Sequence, residues 1–141
     1  MYPSKNRSYY GSFVKTFEDN LSKLGCDFSN KVVLTKTDNT GIRLIKYIFF
    51  YFKIFYYSIF GKYDLIYVHY VKQSAFPFII LRPFVKKNII FNSHGSDLFS
   101  DSRSLVSRCL IYFARKCLKY YDKLVVPSNF YKNEILKLKL I

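Results

Sequence analysis

At 141 residues, half of them hydrophobic, the chain is long enough to bury one domain's core and too apolar to be a disordered tail. Twenty-three Lys and Arg against nine Asp and Glu give a net charge of +14, which calls for an anionic partner: nucleic acid, acidic lipid or a phosphorylated substrate. Three cysteines, Cys26, Cys109 and Cys117, make no disulfide framework, and the first ten residues are polar. The expectation is therefore a cytoplasmic protein with reduced, buried thiols, and secretion is disfavoured.

Val14, Phe17, Leu21 and Leu24 recur at helical spacing and stop at Gly25, a residue suited to the left-handed cap after a helix. KVVLTK (31–36) reads as a short strand. Residues 42–60, IRLIKYIFFYFKIFYYSIF, are long enough only for a helix, and DLIYVHY (64–70) is a strand dense in β-formers. SAFPFIILRPFV (74–85) predicts a shorter, irregular helix interrupted by Pro77 and Pro83, and NIIFN (88–92) predicts the next strand. Val106, Leu110, Phe113 and Cys117 mark one face of a further helix. On that helix Cys109 and Cys117 lie about 12 Å apart along the axis, too far to be bridged. KLVVPS and SNFYKNEILKLK complete a last strand and helix, with Ser128 placed to cap the helix start.

Helix and strand in repeated alternation imply an α/β architecture, a Rossmann-like doubly wound parallel sheet spanning residues 1–141 as a single domain. Ligands bind such sheets outside the carboxyl ends of the strands. Both histidines, His69 and His94, fall at those ends, and the small polar run Ser93-His94-Gly95-Ser96-Asp97 suits a loop that lines a cleft. A doubly wound domain should open with a strand, whereas this chain opens with a polar, Pro-containing loop. Either the sheet lacks its first strand or the chain begins late.

Taken in order, YPSKNRSYYGSFVKTF, YDLIYVHY, NIIFNSHGSDLF and DKLVVPSNFYKNEI resemble successive landmarks of the amino-terminal, acceptor-side half of GT-B glycosyltransferases of the large retaining family four. That family carries a Gly before the first helix, an HG-x-D-like segment after the fourth strand and a PS-x-x segment after the fifth. The resemblance implies transfer of a sugar from a nucleotide-sugar donor to a glycan or lipid-linked acceptor, with retention and without a divalent metal or other cofactor, in the making of a surface polysaccharide. It also implies a carboxy-terminal donor-binding domain with a pair of Glu residues, to which nothing here corresponds. On this reading the chain is a fragment, inactive alone.

Carried over residue by residue, His94 and Asp97 take the catalytic positions, and Gly11, Gly95, His69 and Ser128 the substrate-binding ones. Each has a plainer alternative. Gly11, where helix N–H groups would favour a phosphate, is also a fitting turn glycine. His94 and Gly95 suit a sugar hydroxyl and its close approach, or a histidine satisfying its loop. Asp97 would orient His94 or accept from an acceptor hydroxyl, or form an Asx turn or helix cap. Asp97 with Asp101 has no fixed separation and makes no convincing acid/base pair. His69 stands between Tyr67 and Tyr70, which would bury it, and Ser128 suits capping. No zinc spacing, P-loop or nucleophile elbow is present in the sequence.

In residues 42–60, Arg43, Lys46 and Lys53 interrupt the apolar run, at roughly 2.5 to 3.5 kcal/mol each for insertion, so spanning a bilayer is disfavoured. Arg43, Lys46, Phe50, Lys53 and Tyr57 share one stripe, and Ile45, Ile48, Phe52, Phe55 and Ile59 face mostly elsewhere. The expectation is an apolar side packed on the sheet and a basic, aromatic side lying on anionic lipid, peripheral on the inner face of the cell membrane. A crossover helix with solvated lysines is the plainer alternative. The rival functions are a single-stranded nucleic-acid-binding module, drawn from the charge and from 14 Tyr and 15 Phe, and a non-functional gene fragment. Against the first, the aromatics lie in core-like runs, so no nucleic-acid partner is expected.

Overall fold

In the computed structural model, residues 2–3, 9–99 and 104–139 are described; Asp101 lies outside them. The chain divides into two compact units, residues 1–63 and 64–141. The first holds two helices, α1 (Ser12–Lys23) and α2 (Thr40–Phe60). α1 ends in the hydrogen bonds of a Schellman motif: Gly25, at φ 87°, donates to the Ser22 carbonyl and Cys26 to that of Leu21. At the start of α2, Asn39 Oδ1 accepts from the Ile42 N–H at 3.0 Å. Gly61 follows α2 for want of room, because a Cβ there would meet the Tyr57 carbonyl at 2.4 Å.

The second unit runs β1 (Leu65–His69), α3 (Val71–Ser74), α4 (Phe78–Leu81), β2 (Asn88–Asn92), α5 (Leu105–Cys117), a 3-10 turn, β3 (Lys123–Val125) and α6 (Asn129–Lys137). Its strands form a parallel sheet in the order β1-β2-β3, with His69 opposite Asn92 and Asn92 opposite Val125. The ladder continues past the strands where Tyr70 N donates to Asn92 O and Ser93 N to Val125 O. Phe78, Leu81, Ile89, Phe91, Leu98, Leu118 and Ile135 form its buried core, and Phe78 meets Phe91 edge to face. Asp122 latches β3 to β2, accepting from the Ile89 N–H at 2.7 Å and pairing with Arg82 at 2.8 Å. The fold is thus α/β with a three-stranded parallel sheet.

Four expectations are corrected. Residues 31–37 form no strand; apolar β-formers become a strand only where a partner edge is available, and none pairs with them. On α5 the buried face is Ile111, Ala114 and Cys117, while Val106 and Phe113 are exposed, because tertiary packing rather than periodicity selects the stripe that is covered. On α2 the buried residues are Phe50, Ile54 and Ser58, and Ile45, Ile48, Phe52 and Ile59 are exposed, so the buried side follows the stripe that carries the cations. Of the thiols only Cys117 is buried; Cys26 and Cys109 are exposed. Burial pushes the Cys117 thiol up to about 11, which leaves it unreactive.

Candidate functional site

The parallel register brings the carboxyl ends of β1 and β2 side by side, and with them both histidines of the chain. His69 is the last residue of β1, and His94 stands two residues past β2. Their rings stack at 20° with centroids 5.6 Å apart, and His69 Nδ1 lies 3.4 Å from His94 Nε2. The Asn92 side-chain amide donates to the Tyr67 hydroxyl at 3.0 Å and stands 3.5 Å from His69 Nδ1. With an amide donor facing it, His69 Nδ1 is assigned as an acceptor, which makes His94 Nε2 a proton carrier. Burial drives the His69 imidazole down to about 4, and the neighbouring His94 adds to the depression. Burial also lowers His94, against the opposing pull of the Asp97 carboxylate. Near neutral pH the pair is uncharged, with donor and acceptor nitrogens.

Tyr67 and Tyr70 frame the pair, their rings 5.0 Å from His69 and 4.5 Å from His94 respectively. Tyr70 takes a left-handed backbone, φ 59°, which costs a bulky residue free energy and is found where surrounding structure enforces it. The enforcement is visible: the Tyr70 N–H is tied to Asn92 O, and its carbonyl accepts from Gln73 and Ser74.

Asp97 is 3% exposed. Its Oδ2 accepts from the Val71 N–H at 2.9 Å, and its Oδ1 accepts from the Ser93 hydroxyl at 2.7 Å and the His94 N–H at 3.0 Å. It thereby fixes the loop that carries His94 and ties it to the start of α3, reaching His94 through the backbone. Gly95 is left-handed, φ 80°, and a Cβ there would lie 2.5 Å from the Tyr131 ring. The room beside Gly95 is thus taken by Tyr131 of α6, whose ring lies tilted against that of Phe99 at 5.6 Å. Ser128 precedes α6 in extended conformation and its side chain makes no capping hydrogen bond; its carbonyl accepts from Lys132 N.

The remaining candidates belong to the first unit. Gly11 precedes α1 at φ 75°, buried, and its carbonyl accepts from Val14 N. Arg43 donates to the Thr37 carbonyl at 3.3 Å and Lys46 to the Thr35 hydroxyl at 2.9 Å, so both turn toward the segment before α2, whereas Lys53 is exposed. Among the described residues no helix is long and apolar enough to cross a membrane, and no group of three or more His, Cys, Asp or Glu side chains is gathered for a metal ion. Tyr70 and Ser93, which the sequence places beside His69 and in the cleft loop, join the histidine cluster, whereas Asn92 and Tyr131 escape sequence reasoning. These last two depend on strand register and on where α6 packs.

No protein-family model matches the sequence, and no curated protein or solved structure is significantly similar to it.

Proposed function

We propose that the second unit is a Rossmann-like, acceptor-side portion of a GT-B-type retaining glycosyltransferase, which moves a sugar from a nucleotide-sugar donor to a glycan or lipid-linked acceptor without a metal. A carboxy-terminal domain supplies most of the donor site, and the enzyme works at the anionic inner face of the membrane in surface polysaccharide synthesis. The observation that carries this reading is the pair of uncharged imidazoles at the carboxyl ends of adjacent parallel strands, beside two tyrosine rings. Sugars are recognised by such a mixture: hydroxyls exchange hydrogen bonds with neutral donors and acceptors, and the apolar face of a pyranose lies on aromatic rings. In this role a sugar hydroxyl replaces His69 as the partner of the His94 Nε2 proton, and Asp97 holds the loop that presents His94.

Because the chain has two histidines, its imidazole C–H resonances report on this site alone. Nucleotide-sugars or oligosaccharide acceptors are expected to shift both signals saturably, and His94→Ala to weaken that binding at least tenfold. In a version joined to its donor domain, the same variant cuts transfer strongly and leaves donor binding largely intact. Imidazole signals that stay in place with every sugar, or that saturate only with single-stranded oligonucleotides, overturn the reading.

A further inference from the structure

A groove of about 190 Å³ runs along α2, closed on its other side by residues 33–35. Phe50, 7% exposed, forms its most buried wall, and Ile45 and Phe49 add apolar surface. Lys46 and Lys53 also line it, and no carboxylate does. The two lysines are two helical turns apart, about 10 Å along the axis, a separation that their long side chains close on a single group. Lys46 Nζ rests on Thr35 Oγ1 at 2.9 Å. Thr35 accepts in that bond, which leaves its own hydroxyl hydrogen to donate. Lys53 has no hydrogen-bond or ion-pair partner among the described residues.

Two cations and a hydroxyl set beside phenylalanine rings, uncompensated by any acid, match a ligand that is anionic at one end and apolar at the other. We propose that this groove binds a single-chain lipid phosphate as a monomer, its head group between Lys46, Lys53 and Thr35 and its first carbons against Ile45, Phe49 and Phe50. A phosphate with three accepting oxygens satisfies two ammonium groups and a hydroxyl together. The volume, about six waters' worth at ~30 Å³ each, admits the head group and a few carbons; the rest of the chain extends outside. The proposal concerns the first unit and does not depend on the histidine cluster.

Calorimetric titration of the full chain with decyl phosphate below its aggregation concentration tests it, with decanol and inorganic phosphate as the two half-ligands. One decyl phosphate is expected to bind per chain, each half-ligand at least tenfold more weakly. Lys53→Gln, which breaks no hydrogen bond or ion pair among the described residues, is expected to weaken decyl phosphate at least fivefold at unchanged melting temperature, and Phe49→Ala to weaken it similarly. His94→Ala leaves it unchanged, which separates this site from the sugar site. Decanol or phosphate binding as tightly as decyl phosphate, uptake of many molecules per chain, or indifference to both Lys53→Gln and Phe49→Ala overturns the proposal.

Discussion

At the residue scale the second unit's site is organised by one buried carboxylate. Asp97 satisfies two backbone N–H groups and the Ser93 hydroxyl, and among the described residues no buried side-chain polar atom lacks a partner. Removing the carboxylate strands buried donors, each worth roughly 1–3 kcal/mol and not additive. Asp97→Ala is expected to lower the unfolding free energy by about 2–4 kcal/mol in a urea titration. Asp97→Asn keeps one acceptor oxygen and loses less. His69 contributes to the pH response. Its folded-state value lies near 4 against an ordinary 6.5, so between these values the unfolded chain binds a proton that the folded chain refuses. Stability from this group is complete above about pH 6.5 and is lost as pH falls toward 4. The urea midpoint is therefore expected to drop between pH 7 and pH 4.5, and to drop less in His69→Gln. An equal drop in the two proteins would assign the acid response to other groups.

At the element scale, two left-handed glycines with different surroundings separate backbone strain from steric contact. Gly25 ends α1 with nothing near its absent side chain, whereas Gly95 sits against the Tyr131 ring of α6. Gly25→Ala pays only the left-handed penalty, about 1 kcal/mol. Gly95→Ala carries the same penalty and also displaces the far end of the Tyr131 ring, so it is expected to be the more destabilising in matched urea titrations. In a double-mutant cycle, Tyr131→Ala should cost less in the Gly95→Ala background than in the wild type, with a coupling of about 0.5–3 kcal/mol. Additive losses would show that the ring is not held there. These elements also show what the sequence makes legible. α1, α2 and the three strands of the sheet follow from local signals: helical periodicity, a glycine stop, and runs of β-formers that end in small polar residues. The expected strand at 31–36 has the same composition and no paired edge. The α5 and α2 faces went astray because each helix carries two apolar stripes, and packing rather than periodicity decides which is buried. Within the site, the ends of β1 and β2 marked His69 and His94, but their contact comes from the pairing of His69 with Asn92, a register that no local pattern specifies.

At the scale of the whole molecule, the net charge of +14 makes attraction to polyanions general and therefore uninformative by itself. Salt separates the possibilities. Binding through phosphate contacts alone weakens steeply as salt displaces the counterion gain, and exposed charges are screened within ~3 Å at 1 M. Burial of apolar side chains in a lipid interface does not weaken in this way. α2 exposes Ile48, Phe49, Phe52, Tyr56, Ile59 and Phe60, a set of side chains that an acidic bilayer can cover and a single-stranded oligonucleotide engages only by stacking. Co-sedimentation with vesicles containing phosphatidylglycerol is expected to be strong at 50 mM NaCl and to persist in part at 0.5 M. Retention of a single-stranded oligonucleotide is expected to vanish over the same interval, and neutral phosphatidylcholine vesicles to bind weakly throughout. Phe52→Ser with Phe60→Ser, both at exposed positions, should remove the salt-resistant fraction and leave the low-salt fraction. If vesicle and oligonucleotide binding instead fall in parallel with salt, charge alone drives the association and the apolar face of α2 takes no part in it.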